Sequence, residues 1–249
     1  MKQVAADIRL AFAFLTRLPA GDVGAVDAAR LSRASAWFPL VGVFVGGVSA
    51  GALLLAGVGL PPGPATVIAL LAAVLATGGF HEDGLADVAD AAGAHVSRER
   101  KLEILTDPRV GTYGALAVAF PLLFALTCLI GLDEGDAAAA LVCAHVLGRW
   151  TTLPASRLLP LARAEGKGSL VRSGAGALMT GSAFTAAVVI LVSGDVWLSA
   201  LCLAATCAVI ATGAVILQRV FGGISGDGYG AINKVTELAV YGCFAGWLA

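Results

Sequence analysis

Residues 34–80 read ASAWFPLVGVFVGGVSAGALLLAGVGLPPGPATVIALLAAVLATGGF, without a single Lys, Arg, Asp or Glu. A transmembrane helix takes about 20 mostly apolar residues, so this run is too long for one span. Pro61, Pro62 and Pro64, with Gly63, fall near its middle. Proline breaks a helix, and the stretch therefore reads as a hairpin of two helices. In lipid, backbone polar groups must be satisfied within the segment, which makes helices the expected element throughout.

The pattern continues outward. Residues 110–132, 173–194 and 196–218 are further uncharged runs. Residues 137–148 form a shorter one that continues past Arg149 to Leu153, before Pro154 intervenes. Residues 238–249 are too short to span alone, and extend back towards Lys234 as a shallow seventh span. Residues 4–18 carry Asp7, Arg9 and Arg17 and read as an amphipathic interfacial helix, not a signal peptide. The expected fold is all-α: a polytopic membrane helical bundle with six to seven transmembrane helices. It forms a single membrane domain over 1–249. Residues 1–33 make an N-terminal segment, and 81–112, 149–172 and 219–237 make polar loops.

Composition agrees. Hydrophobic residues are 58% and charged residues 13%, against about 25% charged in soluble domains. A formal net charge of −1 gives a nucleic-acid partner no electrostatic support. Membrane lipid is the expected surrounding, and a homo-oligomer is compatible with the chain. The five cysteines, Cys128, Cys143, Cys202, Cys207 and Cys243, sit in apolar runs and form no CxxC pair. They read as small buried hydrophobes. With alternating spans, all 16 Lys and Arg residues fall on one side, while Asp133, Glu134, Asp136 and Asp195 fall on the other. The positive-inside rule makes the first side, with every long polar loop, cytoplasmic.

That side opens with Gly78-Gly79-Phe80-His81-Glu82-Asp83-Gly84-Leu85-Ala86-Asp87-Val88-Ala89-Asp90. Asp83, Asp87 and Asp90 have the i, i+4, i+7 spacing of one helical face. Three like charges on a face repel unless compensated. A hard divalent cation such as Mg²⁺, which favours carboxylate oxygens and is shared with phosphates, would compensate them. A solvated acidic helix end is the bland alternative. The location beside a membrane helix with basic segments nearby favours the metal.

Two glycine-rich segments follow. Thr106-Asp107-Pro108-Arg109-Val110-Gly111-Thr112-Tyr113-Gly114 offers an Arg, hydroxyls and open backbone suited to phosphate, or else a turn with an interfacial Arg and Tyr. Phe221-Gly222-Gly223-Ile224-Ser225-Gly226-Asp227-Gly228-Tyr229-Gly230-Ala231-Ile232-Asn233 has five glycines in nine residues, which argues against an ordinary helix there. It lacks the GK[ST] ending of a phosphate-binding Walker loop. His145 and Arg149 lie one helical turn apart, with a functional reading and a snorkelling one both open.

Together these segments resemble the cobalamin synthase family, the adenosylcobinamide-GDP ribazoletransferases. The pieces that carry the likeness are residues 14–19 (FLTRLP), 37–42 (WFPLVG), 79–90, 107–114 and 222–233, in the family's order across nearly the whole chain. GGFHEDGLAD is the most specific of them. Two departures stand out: Ser225 replaces the usual Thr, and Lys234 stands where a Glu is expected, with Glu237 one turn later.

The resemblance implies a bacterial inner-membrane enzyme, working at the cytoplasmic face, that needs Mg²⁺. It would join adenosylcobinamide-GDP to α-ribazole or its 5′-phosphate, giving adenosylcobalamin or its phosphate and GMP. On this reading Asp83 and Asp87 hold Mg²⁺, helped by Glu82 or Asp90, and Asp227 completes the metal shell or binds ribose. Asp90 is the first candidate to accept the nucleophile's proton and His81 its rival. Arg109, Arg149, Thr112, Ser225 and Asn233 are the candidate phosphate or substrate contacts. A CDP-alcohol phosphotransferase of lipid synthesis is the second enzyme reading, disfavoured because Asp87 follows Ala86 where Arg is required. A transporter is the rival class, disfavoured because the carboxylates gather at one face and not at mid-bilayer.

Overall fold

The computed structural model describes residues 2–162 and 172–248. The proline break is the turn of the first hairpin. Helix α3 (Phe38–Gly57) leads to α4 (Pro62–Thr77), and each has proline in its first turn, where a missing N–H is tolerated. The pair is pinned by a buried hydrogen bond, Ser49 Oγ to the Ala69 carbonyl at 2.7 Å. Helix α8 (Glu134–Trp150) lies closely along α3. A Cβ on Gly46 would stand 2.6 Å from Val142 Cα, so glycine lets these backbones approach.

Upstream, α1 (Lys2–Leu15) buries Leu10, Ala11 and Leu15 against α2 (Ala28–Ser35) and α3. Asp7 is buried with them, 3.6 Å from Arg33. Asp27 caps α2 through the Arg30 amide. Downstream, α5 (Phe80–Gly93) and α6 (Arg98–Ile104) precede α7 (Thr112–Ile130). After α8 come α9 (Thr152–Leu158), α10 (Ala175–Ser193), α11 (Val196–Phe221) and α12 (Gly226–Trp247). Pro154 lies within the first turn of α9. Of the expected loop 149–172, residues 163–171, including Arg163 and Lys167, lie outside the described residues. The backbone just before them pairs with the α11–α12 connection, Ile224 N–H donating to the Pro160 carbonyl at 2.9 Å.

The chain is an all-α, multi-pass membrane bundle, but six to seven apolar spans is a correction to make. Among the described residues four helices are long and apolar enough to cross a membrane: α3, α7, α10 and α11. The bent pair α4–α5 would be a fifth if counted as one span. The shortfall has a physical cause. Helices α8 and α12 pack inside the bundle against α3, α7, α10 and α11. They are shielded from lipid by protein, so they can carry paired charges in place of continuous apolar sequence. Helix α4 has only 16 residues.

A second correction concerns 222–230. The glycines do not prevent a helix, since α12 begins at Gly226 and runs through Gly228 and Gly230. Their use is contact. Gly230 packs with its missing Cβ 3.4 Å from Gly84 Cα and His81 Cα, and a Cβ on Gly84 would stand 3.0 Å from Asp227 Cα. Helices α5 and α12 thus cross backbone to backbone.

Candidate functional site

The direction of α5 is set by two glycines. Gly78 and Gly79 adopt φ of +78° and +75°, and both amides donate to the Val74 carbonyl, at 2.7 and 3.0 Å. Left-handed glycine closes a helix in this way. The chain turns by 89° between α4 and α5, so α5 runs across the end of the bundle, outside the four spans. Asp83, Asp87 and Asp90 share one face of this continuous helix. The crossing at Gly84 adds Asp227 from the first turn of α12.

The carboxylates of this face repel one another. Partial burial, then the neighbouring charges of Asp83, Asp227 and Asp90, push the Asp87 carboxyl up to about 7. No ion pair involves Asp83 or Asp87 among the described residues. Nor are three or more His, Cys, Asp or Glu side chains there gathered into a ready metal cage. This donor set suits Mg²⁺, which takes one or two carboxylates and fills its shell with water and phosphate oxygens. Beside the face lies a cleft of about 790 Å³. Glu82, Asp83 and Thr77 line its polar end, and Val110, Val118 and Leu122 its apolar wall.

Asp90 has defined partners. Its carboxylate accepts the Gly111 amide at 2.7 Å and the Gly114 amide at 2.8 Å. Gly111 caps α7 without a side chain of its own. Asp90 therefore serves as the cap, from 21 residues upstream. One lone pair per oxygen is left over.

His81 turns into the bundle, and Glu82, while lining the cleft, reaches Lys234 on its inner side. His81 is buried, its ring 5.4 Å from that of Phe80, and it lies within electrostatic reach of Arg149, Glu237, Lys234 and His145. Those residues form a buried polar chain. Glu237 Oε1 accepts from Arg149 at 2.5 Å and lies 2.8 Å from His145 Nδ1. Lys234 Nζ bridges Glu237 Oε2 at 2.5 Å and Glu82 Oε1 at 2.9 Å. Arg149 and Glu237 are each 1% exposed. Two cations and two carboxylates balance, as buried ions require.

The remaining expected contacts are dispersed. Arg109 is exposed and closes back on Asp107 through two bonds, at 2.6 and 2.9 Å. Those bonds hold the Asp107 carboxyl down at about 2. Thr112 is exposed at the first turn of α7. Arg149 is turned to the interior, where His145 and Glu237 are its partners. Ser225 caps α12 by accepting from the Gly228 amide at 3.1 Å. Asn233 is buried against Gly148 with both amide atoms lacking a hydrogen-bond partner among the described residues. The site therefore gathers Asp83, Asp87, Asp90 and Asp227, with Glu82 and His81 at its inner edge. Glu237 and Lys234 are the residues that reading for a site missed. Their signal was the His145/Arg149 pair, a buried cation one turn from an imidazole, which calls for a buried acid.

Residues 7–245 match the family described as Cobalamin-5-phosphate synthase. An adenosylcobinamide-GDP ribazoletransferase of Mesorhizobium japonicum is 39% identical, covering 96% of this chain and 92% of its own. That of Deinococcus radiodurans is 40% identical over 99% of this chain and 87% of its own. That of Azorhizobium caulinodans is 36% identical over 95% and 94%. No solved structure matches. The chain therefore belongs to the Cobalamin-5-phosphate synthase family and is a membrane transferase of cobalamin biosynthesis, with chemistry of the phosphoryl-transfer type.

Proposed function

We propose that the chain joins adenosylcobinamide-GDP to α-ribazole or its 5′-phosphate, at the cytoplasmic face of a bacterial inner membrane. The observation that carries the site is the α5 acidic face, joined by Asp227, whose Asp83 lines the 790 Å³ cleft. The substrates follow from the activity that the relatives are named for.

A ribazole hydroxyl attacks the phosphorus nearer cobinamide. A new P–O bond forms, the diphosphate bridge breaks, and GMP leaves with the bridging oxygen. Such transfers rest on alignment and charge neutralisation. Asp83 and Asp87, with Asp227, would hold Mg²⁺, which when bound supplies positive charge to the diphosphate. Asp90 accepts the hydroxyl proton on a lone pair its two amide donors leave open. Those amides fix the plane of its carboxylate against α7.

The test uses membranes bearing folded Asp83→Asn or Asp87→Asn protein, supplied with adenosylcobinamide-GDP, α-ribazole and Mg²⁺. GMP release is expected to fall by about 100-fold or more in each, the scale of losing a main electrostatic contact. Wild-type turnover in either variant would sink the assignment.

A further inference from the structure

The acidic stretch contains four carboxylates in nine residues, and the structure divides them. Asp83 is exposed, Asp87 is half-buried beside it, and Asp90 is held by the Gly111 and Gly114 amides of α7. Glu82 leans inward to α12, where Lys234 Nζ lies 2.9 Å from Oε1 and both side chains are under one-fifth exposed. The same ammonium reaches Glu237 Oε2 at 2.5 Å. Glu237 Oε1 is already shared by Arg149 and His145. An ammonium between two carboxylates occupies the position a divalent ion could take. A second metal there would meet a fixed positive charge at contact distance, in surroundings that screen little.

We propose that Lys234 is a built-in cation at the root of α5. It neutralises Glu82 and Glu237, keeps Glu82 out of the metal shell, and leaves one divalent ion to Asp83, Asp87 and Asp227. Lys234 thus acts through Glu82, holding that carboxylate on the α12 side of α5. The proposal rests on the metal reading of the acidic face given above.

The experiment uses the full chain purified in detergent, with Mn²⁺ as the hard-cation probe and electron paramagnetic resonance to count bound ions. One ion is expected per chain. Glu82→Gln should leave its affinity within about twofold, while Asp87→Asn should weaken it by at least about tenfold, the scale of disturbing a metal's immediate support. A tenfold weakening by Glu82→Gln overturns the proposal and leaves the acidic-face reading standing. Mn²⁺ affinity indifferent to both Asp83→Asn and Asp87→Asn overturns that reading instead. A metal-free measurement reads the ion pair itself. Glu82→Gln should lower the melting temperature of the native chain. In a Lys234→Met background it should raise it, because Glu82 is then a buried charge without its cation. The same shift in both backgrounds overturns the pairing role. Should Lys234→Met not fold, the Mn²⁺ measurement decides alone, with Lys234→Arg expected to keep single-ion binding.

Discussion

Asp90 Oδ1 receives the backbone amide of Gly114 at 2.8 Å, and Oδ2 that of Gly111 at 2.7 Å. One carboxylate thereby joins the acidic helix to the start of α7. Asp90→Ala should remove the cap, destabilise the chain by about 1–2 kcal/mol, and free the amides of Gly111 and Gly114. Hydrogen exchange at those amides, measured beside chemical denaturation, checks both effects. Protection unchanged at Gly111 and Gly114 would refute the cap.

The Gly84–Gly230 crossing gives a paired prediction. A Cβ on Gly84 would meet the Asp227 backbone at 2.9–3.0 Å, and Gly47 in α3 has nothing within 4 Å. Gly84→Ala should destabilise by about 1–3 kcal/mol through overpacking and depress turnover with it. Gly47→Ala should be neutral or stabilise by up to about 1 kcal/mol. Equal melting temperatures for the two variants would count against backbone contact.

On the proposed metal reading, Asp87 makes the binding of the ion depend on pH. Without a cation its folded value of about 7 stands above the ordinary 3.8. Its protonated form therefore favours the fold. That contribution is fully present below the ordinary value and is lost as pH rises through about 7. A divalent cation displaces the same proton. Mn²⁺ affinity should accordingly fall as pH drops below 7, approaching about tenfold per pH unit for one released proton. A titration between pH 5.5 and 8 that shows no slope would remove Asp87 from the metal shell.

The buried ion chain should be intolerant of one-sided change. Glu237→Gln leaves Arg149 and Lys234 without their shared carboxylate, in a place where Glu237 and Arg149 are each 1% exposed. The expected loss is about 3–5 kcal/mol, the scale for breaking a buried pair. Denaturant unfolding in detergent measures it, and a loss below 1 kcal/mol would contradict the network.

The hairpin of α3 and α4 is legible because Pro61, Pro62 and Pro64 punctuate an uncharged run, which is a purely local signal. The i, i+4, i+7 carboxylates are equally local and reappear on one face of α5. What escapes the sequence depends on partners far along the chain. Glu237 meets Arg149 across 88 residues, so Lys234 and Glu237 resemble loop charges until α8 is seen behind them. The same omission inflates the span count, since α12 reads as a marginal membrane segment when it is a covered, charged one. Arg109 is set by a local partner instead, Asp107 two residues away.

The contact between Gly84 and Gly230 also governs precision. Where helices meet through side chains, a substitution at the contact changes the spacing between them. Here the separation between Asp227 and the α5 acids is referred to main chain on main chain, with no side-chain spacer to adjust. The site's dimensions are therefore as stiff as the peptide backbone, and changes elsewhere in the bundle reach it as rigid displacement of a whole helix.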